Sequence, residues 1–332
     1  MRLLVTGGAG FIGSNFVHYW LERHPDDHVV VYDLLTYAGN RASLADVEER
    51  IVFVQGDIGD LELATKTIED EGVDTIVNFA AESHNSLAVL DPGLFARTNV
   101  LGTQLLLEAA RATGVERFHH ISTCEVYGDL ALDSDEVFSE ESPYRPRTPY
   151  NASKAAADHY VRAYHETFEL PVTITNCSNN YGGYQFPEKV LPLFVTNALD
   201  DLPLPMYAST QNKREWLHVL DHCSAIDLVL RNGRVGETYN VGSGVEATIE
   251  ELADLVLELT GKPASLKTIV PDRPGHDRRY LLDATKLRRK LGWSPAHGFG
   301  DGVAETVAWY AANRAWWEPL KQRAPVEETA WR

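Results

Sequence analysis

Two groups of residues in this sequence have types and spacings suited to chemistry. The first is Gly7-Gly8-Ala9-Gly10-Phe11-Ile12-Gly13, which follows the apolar run Leu3–Val5 at once and opens a stretch of helical period, Ser14–Arg23. In a strand–turn–helix context such glycines cradle phosphate. Gly7 permits the tight turn, Gly10 lets backbone approach a pyrophosphate, and Gly13 lets the helix pack closely on the strand. Phe11 and Ile12 belong to the helix N-terminus, which adds N–H groups and positive potential. Asp33 ends the next β-type run, 20 residues after Gly13. A carboxylate there accepts hydrogen bonds from a ribose diol and repels a 2′-phosphate, which favours NAD over NADP. Asp57 and Ile58, after the third such run, are placed to flank an adenine.

The second group is Tyr150 and Lys154, four apart at the head of a helical stretch and behind Thr148-Pro149, so that both project from one face. An ammonium beside a phenol, with a cationic nicotinamide near, favours the phenolate and lowers a tyrosine pKa from about 10 toward the working range. Tyr150 is then a candidate general base for an alcohol. Thr123, at the end of another β-type run, can hydrogen-bond the same alcohol oxygen. A lone YxxxK pair matches many helices; its weight here comes from standing with the glycine turn and Asp33.

The elements that must position these groups alternate. Leu3–Val5, Val29–Tyr32, Val52–Gln55, Thr75–Phe79, Phe118–Ser122 and Val172–Asn176 read as strands, and Ser14–Arg23, Asp60–Glu71, Asn99–Thr113 and Tyr150–Phe168 as helices between them. That order predicts an α/β fold, a Rossmann-type doubly wound parallel sheet with ligands at the carboxyl ends of its strands. From about Asn176 the texture changes. Ser178–Pro192 and Pro203–Arg214 read as irregular, and Thr248–Thr260, Asp283–Leu291 and Gly300–Arg314 as helices. We expect a dinucleotide-binding domain over residues 1–175, a return of the chain to it around 214–245, and a smaller α/β substrate domain made mainly of residues 176–332.

Composition narrows the partners. The chain has 332 residues, 30 Lys+Arg against 48 Asp+Glu, and a formal charge of −18. Such a charge argues against nucleic acid or an anionic membrane as partner, since both require a basic face. A small anion held by local cations fits, and Arg214 and Arg273 carry guanidinium forks that match phosphate oxygens. Cys124, Cys177 and Cys223 show neither disulfide nor zinc spacing, so no metal is expected and a reducing, cytoplasmic location is. Nothing at the start resembles a signal segment and no window approaches a membrane span.

The set resembles an extended short-chain dehydrogenase/reductase. Ala80–His84, Ser122–Gly128, Asn179–Pro192, Arg214–His222 and Arg273–Tyr280 are similar to the dTDP-glucose 4,6-dehydratase family across nearly the whole chain. The resemblance implies a nucleotide-diphosphate sugar, dTDP-glucose first, and a retained NAD that is reduced and reoxidised in each turnover. It assigns Ala80 to the cofactor, Ser83 and His84 to the nicotinamide or hexose, and Glu125 to removal of the C5 proton once C4 is a ketone. It gives Asn179, Lys189, Asn240, His276 and Tyr280, with Arg214 and Arg273, to the nucleotide sugar. It also implies a homodimer through helices like Asn99–Thr113 and Tyr150–Phe168, and a place in deoxysugar supply, whether for antibiotics or for cell wall.

Two departures from the family stand out. Cys124 occupies the position of the Asp that protonates the departing C6 hydroxyl. A thiol with pKa near ~8.5 is mostly protonated at neutral pH and can donate, if weakly. The Thr-Cys-Glu-Val-Tyr-Gly run is also similar to nucleotide-sugar 5,6-dehydratases, which return the hydride to C4 and leave an exocyclic alkene. Asn85-Ser86-Leu87-Ala88 replaces a stretch that carries a charged pair beside the hexose. The rival classes are a catalytically silent NAD(H)-binding protein and a sugar 4-epimerase; the complete Thr123–Tyr150–Lys154 set weighs against the first and Glu125 against the second.

Overall fold

The computed structural model describes residues 1–323; residues 324–332, the end of the expected substrate domain, lie outside the described residues. The first half runs β1 (Arg2–Thr6), α1 (Phe11–Arg23), β2 (His28–Asp33), β3 (Ile51–Gln55), α2 (Leu61–Glu71), β4 (Thr75–Asn78), α3 (Asn85–Leu90), α4 (Pro92–Phe95), α5 (Thr103–Thr113), β5 (Arg117–Thr123) and α6 (Pro149–Phe168). The second half runs β6 (Val172–Cys177), β7 (Asn179–Tyr181), α7 (Val190–Leu199), β8 (Leu204–Tyr207), β9 (Lys213–His218), α8 (Val219–Asn232), β10 (Thr238–Val241), β11 (Glu246–Thr248), α9 (Ile249–Thr260), β12 (Lys267–Val270), α10 (Thr285–Leu291), α11 (Phe299–Ala312) and α12 (Arg314–Lys321).

Seven strands form one parallel sheet in the order β10-β6-β5-β4-β1-β2-β3. Alternation along each strand feeds two cores. Leu4, Val30 and Tyr32 face one layer with Ala64 and Ile68 of α2, Leu106 of α5 and Val161 of α6. Leu3, Val5, Val29 and Val31 face the other with Phe16 and Trp20 of α1 and Ile226 of α8. The order reverses between β1 and β4, and the glycine turn sits at that point, where a crevice opens beyond the strand ends. A further core joins α7, α9, α11 and α12 around Phe194, Leu252, Tyr310 and Trp317, beside the small sheets β11-β9-β7 and β12-β8.

Several stretches differ from their sequence reading. Ser178–Pro192 contains β7 and the start of α7, and Pro203–Arg214 contains β8 and the start of β9. These strands are three to six residues long and pair with distant partners, so local turn chemistry masked them. The helix expected from Asn99 is α5 preceded by a π-helical stretch, Ala96–Gly102. Buried Asn99 pins that stretch: its carboxamide accepts from Glu82 N (2.8 Å) and donates to Glu82 O (3.0 Å) and Ser153 Oγ (2.8 Å).

Candidate active site

The glycine turn is built for close approach. Gly7 has φ +64°, and a Cβ on it would lie 2.7 Å from Ala80 N. A Cβ on Gly13 would lie 2.3 Å from Gly7 O, which only glycine avoids. Gly10 caps α1 without a side-chain hydrogen bond, so the N–H groups of the first helical turn are not claimed by a cap. Asp33 is buried and accepts from Ala9 N (2.9 Å) and Leu35 N (2.7 Å). Burial pushes its carboxyl up, and those two donors pull it back. Gly7, Gly10, Phe11, Ile12, Gly13, Asp33, Asp57, Ile58, Ala80 and Ser83 all line one cavity of about 670 Å³, which continues to Thr123, Glu125, Tyr150 and Lys154.

Thr148 caps α6 and Pro149 occupies its first turn, which places Tyr150 and Lys154 beside the end of β5. The electrostatics differ from the sequence expectation. Burial, then the charge of Glu125, holds the Tyr150 phenol well above its ordinary value, and a hydrogen bond with Thr123 opposes them. Lys154 donates to Ile121 O (2.7 Å), with His120 Nε2 at 3.3 Å, and burial pulls its pKa down to about 8 against the pull of Asp158. In the protein alone the lysine therefore rests against β5. His120 and Asp158 were missed in the sequence, although Asp158 follows Lys154 by one helical turn on the same buried face.

Glu125 stands on a single 3₁₀ turn, Cys124–Tyr127, and its own N–H donates to the capping Thr123 Oγ1 at 3.3 Å. Its Oε2 accepts from Asn85 Nδ2 at 3.2 Å. Burial raises its pKa, with Arg273 the leading opposing charge. Glu125 lines the large cavity and also a second one of about 240 Å³, so it stands where the two meet.

Two expected site residues do not reach either cavity. Cys124 is 1% exposed and packs with Val126, Tyr127, Ala155, Tyr280 and Leu282. Burial there, then Glu125, holds its thiol well above the ordinary value, which makes it a poor acid. Asn240 is a buried strut: its Oδ1 accepts from Tyr127 OH (2.8 Å) and its Nδ2 donates to Phe138 O (2.9 Å). The sequence could not show this, because burial of both is set by elements far along the chain.

The smaller cavity gathers His84, Asn179, Lys189, Arg214, Arg273, His276 and Tyr280, together with Tyr207 and Trp216, which the sequence reading did not single out. His84 is partly structural. Its Nδ1 accepts from Leu87 N at 3.1 Å to cap α3, and burial pulls its pKa down to about 3, so the ring is neutral. Burial brings His276 to about 3 as well, helped by Arg214 and Arg273. Arg214 donates to Asp277 O at 2.8 Å and lies 4.9 Å over the Tyr280 ring. Arg273 Nη1 and Asn179 Oδ1 are buried without a partner, a donor and an acceptor left for a ligand. Lys189 reaches Ser83 O at 3.0 Å and bridges the two cavities.

Elsewhere His218, His297 and Glu305 bring three donor atoms within 4.8 Å. The two imidazoles stack at 4.0 Å and 23°, so their in-plane lone pairs run side by side rather than converging on one ion.

The comparisons with known proteins agree with this geometry. A family model described as GDP-mannose 4,6 dehydratase matches residues 4–306. The dTDP-glucose 4,6-dehydratase of Streptomyces antibioticus is 49% identical over 97% of this chain and 96% of its own length, and that of Streptomyces niveus 50% identical over 99% and 98%. The crystal structure of the dTDP-glucose 4,6-dehydratase of Streptomyces venezuelae, with NAD bound, superposes with a TM-score of 0.93 at 52% identity, covering 96% of this chain and 100% of that one. The UDP-glucose 4-epimerase of Thermus thermophilus in complex with NAD reaches 0.87 at 34% identity, covering 94% and 100%. The fold is thus shared by epimerases and dehydratases, while the matches over nearly the full chain at about half identity are with dehydratases. The chain belongs to the 4,6-dehydratase family of extended short-chain dehydrogenase/reductases.

Proposed function

We propose that this chain is an NAD-dependent hydro-lyase acting on a nucleotide-diphosphate hexose, dTDP-glucose in the first instance, and giving the 4-keto-6-deoxy sugar. The observation that carries the reading is the position of Glu125, a buried carboxylate shared by the dinucleotide-type cavity and the cavity rich in arginine. The glycine cradle and Asp33 fit NAD: a side chain on Gly7 or Gly13 would collide with backbone, and the carboxylate faces the same cavity. When bound, the cofactor supplies a reversible two-electron acceptor.

Tyr150, set by Thr123 and α6, takes the proton of the C4 hydroxyl as that carbon is oxidised, its raised pKa being brought down by the Thr123 hydrogen bond and by the positive charge that a bound nicotinamide would add. The resulting ketone acidifies C5–H, and Glu125, whose raised pKa makes it a stronger base than an exposed glutamate, removes that proton and passes it to the C6 hydroxyl, which leaves as water; the hydride taken from C4 would then return to C6 and a solvent proton to C5, which gives the methyl group. Arg214, Arg273, Lys189 and Asn179 hold the diphosphate, and Tyr280 and His276 close that end.

The test is direct. Purified protein incubated with dTDP-glucose gives a product whose proton spectrum contains a methyl doublet. Two vinylic protons in its place assign the 5,6-route with hydride return to C4, and an unaltered sugar overturns the dehydratase reading.

Assembly and location belong to the same proposal. Tyr160 and Phe168 of α6 are 44% and 48% exposed, which suits a homodimer formed through α6 and its neighbour α5. Among the described residues no helix is long and apolar enough to cross a membrane. The three buried free thiols suit the cytoplasm.

A further inference from the structure

Asn85 stands where the two cavities meet, next to Glu125, and belongs to neither group of residues discussed above as acting on substrate. It is the first residue of α3, and its carboxamide has two neighbours. Nδ2 lies 3.2 Å from Glu125 Oε2, and Oδ1 lies 3.3 Å from Thr148 Oγ1. An ionised carboxylate only accepts, so the amide turns its N–H toward Glu125 and its C=O toward Thr148, whose one hydroxyl proton is shared between Asn151 Oδ1 at 2.7 Å and Asn85 Oδ1 at 3.3 Å. Thr148 is itself the cap of α6, the helix that carries Tyr150 and Lys154. One side chain therefore ties the carboxylate on the 3₁₀ turn to the start of the helix bearing the phenol.

From this juxtaposition, and resting on the dehydratase reading, we propose that Asn85 is the positioning residue of the elimination step: it fixes the Glu125 carboxylate and holds it ionised for removal of the C5 proton. Glu125 is buried, and burial alone favours its neutral form, which cannot act as a base. Arg273 and Arg214 act on it only through their charge, and the hydrogen bond from Asn85 is the direct contact that stabilises the anion. A hydrogen bond to a charged group is also directional, so it aims the carboxylate as well as stabilising it. Cys124 packs away from both cavities and supplies no substitute.

This role divides the reaction. Losing Asn85 should slow proton transfer at C5 and leave oxidation at C4, which relies on Tyr150, nearly untouched. The experiment follows the holoenzyme with dTDP-glucose in deuterium oxide. C4 oxidation is read from the absorbance of the reduced cofactor in a single turnover, and C5 exchange from loss of the C5 proton signal. Asn85→Leu keeps side-chain volume without a donor; Asn85→Ala is the second variant in case the first packs badly. In either, C5 exchange should slow about 10–100-fold, the worth of one charge-assisted hydrogen bond, while C4 oxidation stays within about threefold and the reduced cofactor accumulates. In a Glu125→Gln background the Asn85 variants should have no further effect on exchange, since the two groups act as a unit. C5 exchange within about twofold of the parent in both variants overturns the proposal. So does an equal fall of both steps, which would assign Asn85 to the scaffold. Parent protein that neither oxidises C4 nor exchanges C5 overturns the dehydratase reading itself, and with it this inference.

Discussion

Replacing Glu125 by Gln isolates the base in the proposed mechanism while keeping its shape. The amide oxygen of a glutamine can still accept from Asn85 Nδ2, so the 3.2 Å contact has a natural heir and the turn Cys124–Tyr127 should hold. A positioned general base is worth about 10²–10⁴ in rate, and the loss of C5 exchange should fall in that range, with C4 oxidation still occurring. Stability should move the opposite way. Burial raises the Glu125 pKa above its ordinary 4.5, so between 4.5 and the raised value the folded protein binds more protons than the unfolded chain. Stability from this group is therefore present below its ordinary pKa and lost as pH rises through the folded one. Glutamine carries no such penalty. The variant should melt above the parent at neutral pH, and the difference should close as pH falls toward 4.5. Calorimetry across that range, beside exchange kinetics followed by proton NMR, gives both readouts. Exchange within tenfold of the parent removes Glu125 from the role of base. A variant that melts below the parent at neutral pH refutes the electrostatic reasoning.

Three further outcomes follow from the geometry. Gly13→Ala puts a methyl 2.3 Å from Gly7 O, so it should cost at least the roughly 1–3 kcal/mol of an overpacked core and abolish NAD retention; melting and the absorbance of released cofactor report both. Cys124→Ala should lose about 1 kcal/mol of packing but keep dehydration within about threefold, and a hundredfold fall with NAD still bound would restore the thiol to the mechanism. Arg273→Leu removes a guanidinium whose Nη1 is buried without a partner, so affinity for the nucleotide sugar should fall about 10–100-fold by calorimetry while the melting temperature of the sugar-free protein does not drop.

The parts of the site that were legible in the sequence are those fixed by local geometry. A glycine turn needs only the strand before it and the helix after it, and Asp33 needs only the end of β2, so Gly7 to Gly13 and Asp33 could be read from spacing. Tyr150 and Lys154 share one helix. What could not be read was burial imposed from afar. Cys124 is enclosed by Tyr280 and Leu282, and Asn240 is claimed by Tyr127 and Phe138, more than a hundred residues away along the chain in every case. The strands β7, β8 and β12 are short and find their partners across intervening helices and strands, and β10 joins the edge of the main sheet after an excursion through β7 to β9. The polar network around Asn85 was hidden for the same reason, since its partners are Glu125 and Thr148.

Charge links the two ends of the site. Burial leaves His84 and His276 neutral, and the smaller cavity sets the cations Arg214, Arg273 and Lys189 against two carboxyls, Glu125 and Glu188, whose charged forms burial disfavours. In a chain of net charge −18 such a local surplus of cations selects an anion. Arg273 is also the leading charge that lowers the Glu125 pKa, because it favours the carboxylate. A diphosphate that pairs with Arg273 cancels part of that pull. The pKa of Glu125 must then rise, and a carboxylate whose pKa approaches the working pH is a stronger base for C5. Binding energy gained at the nucleotide end is thereby spent at the hexose end, and a sugar lacking its nucleotide diphosphate should lose rate at C5 as well as affinity.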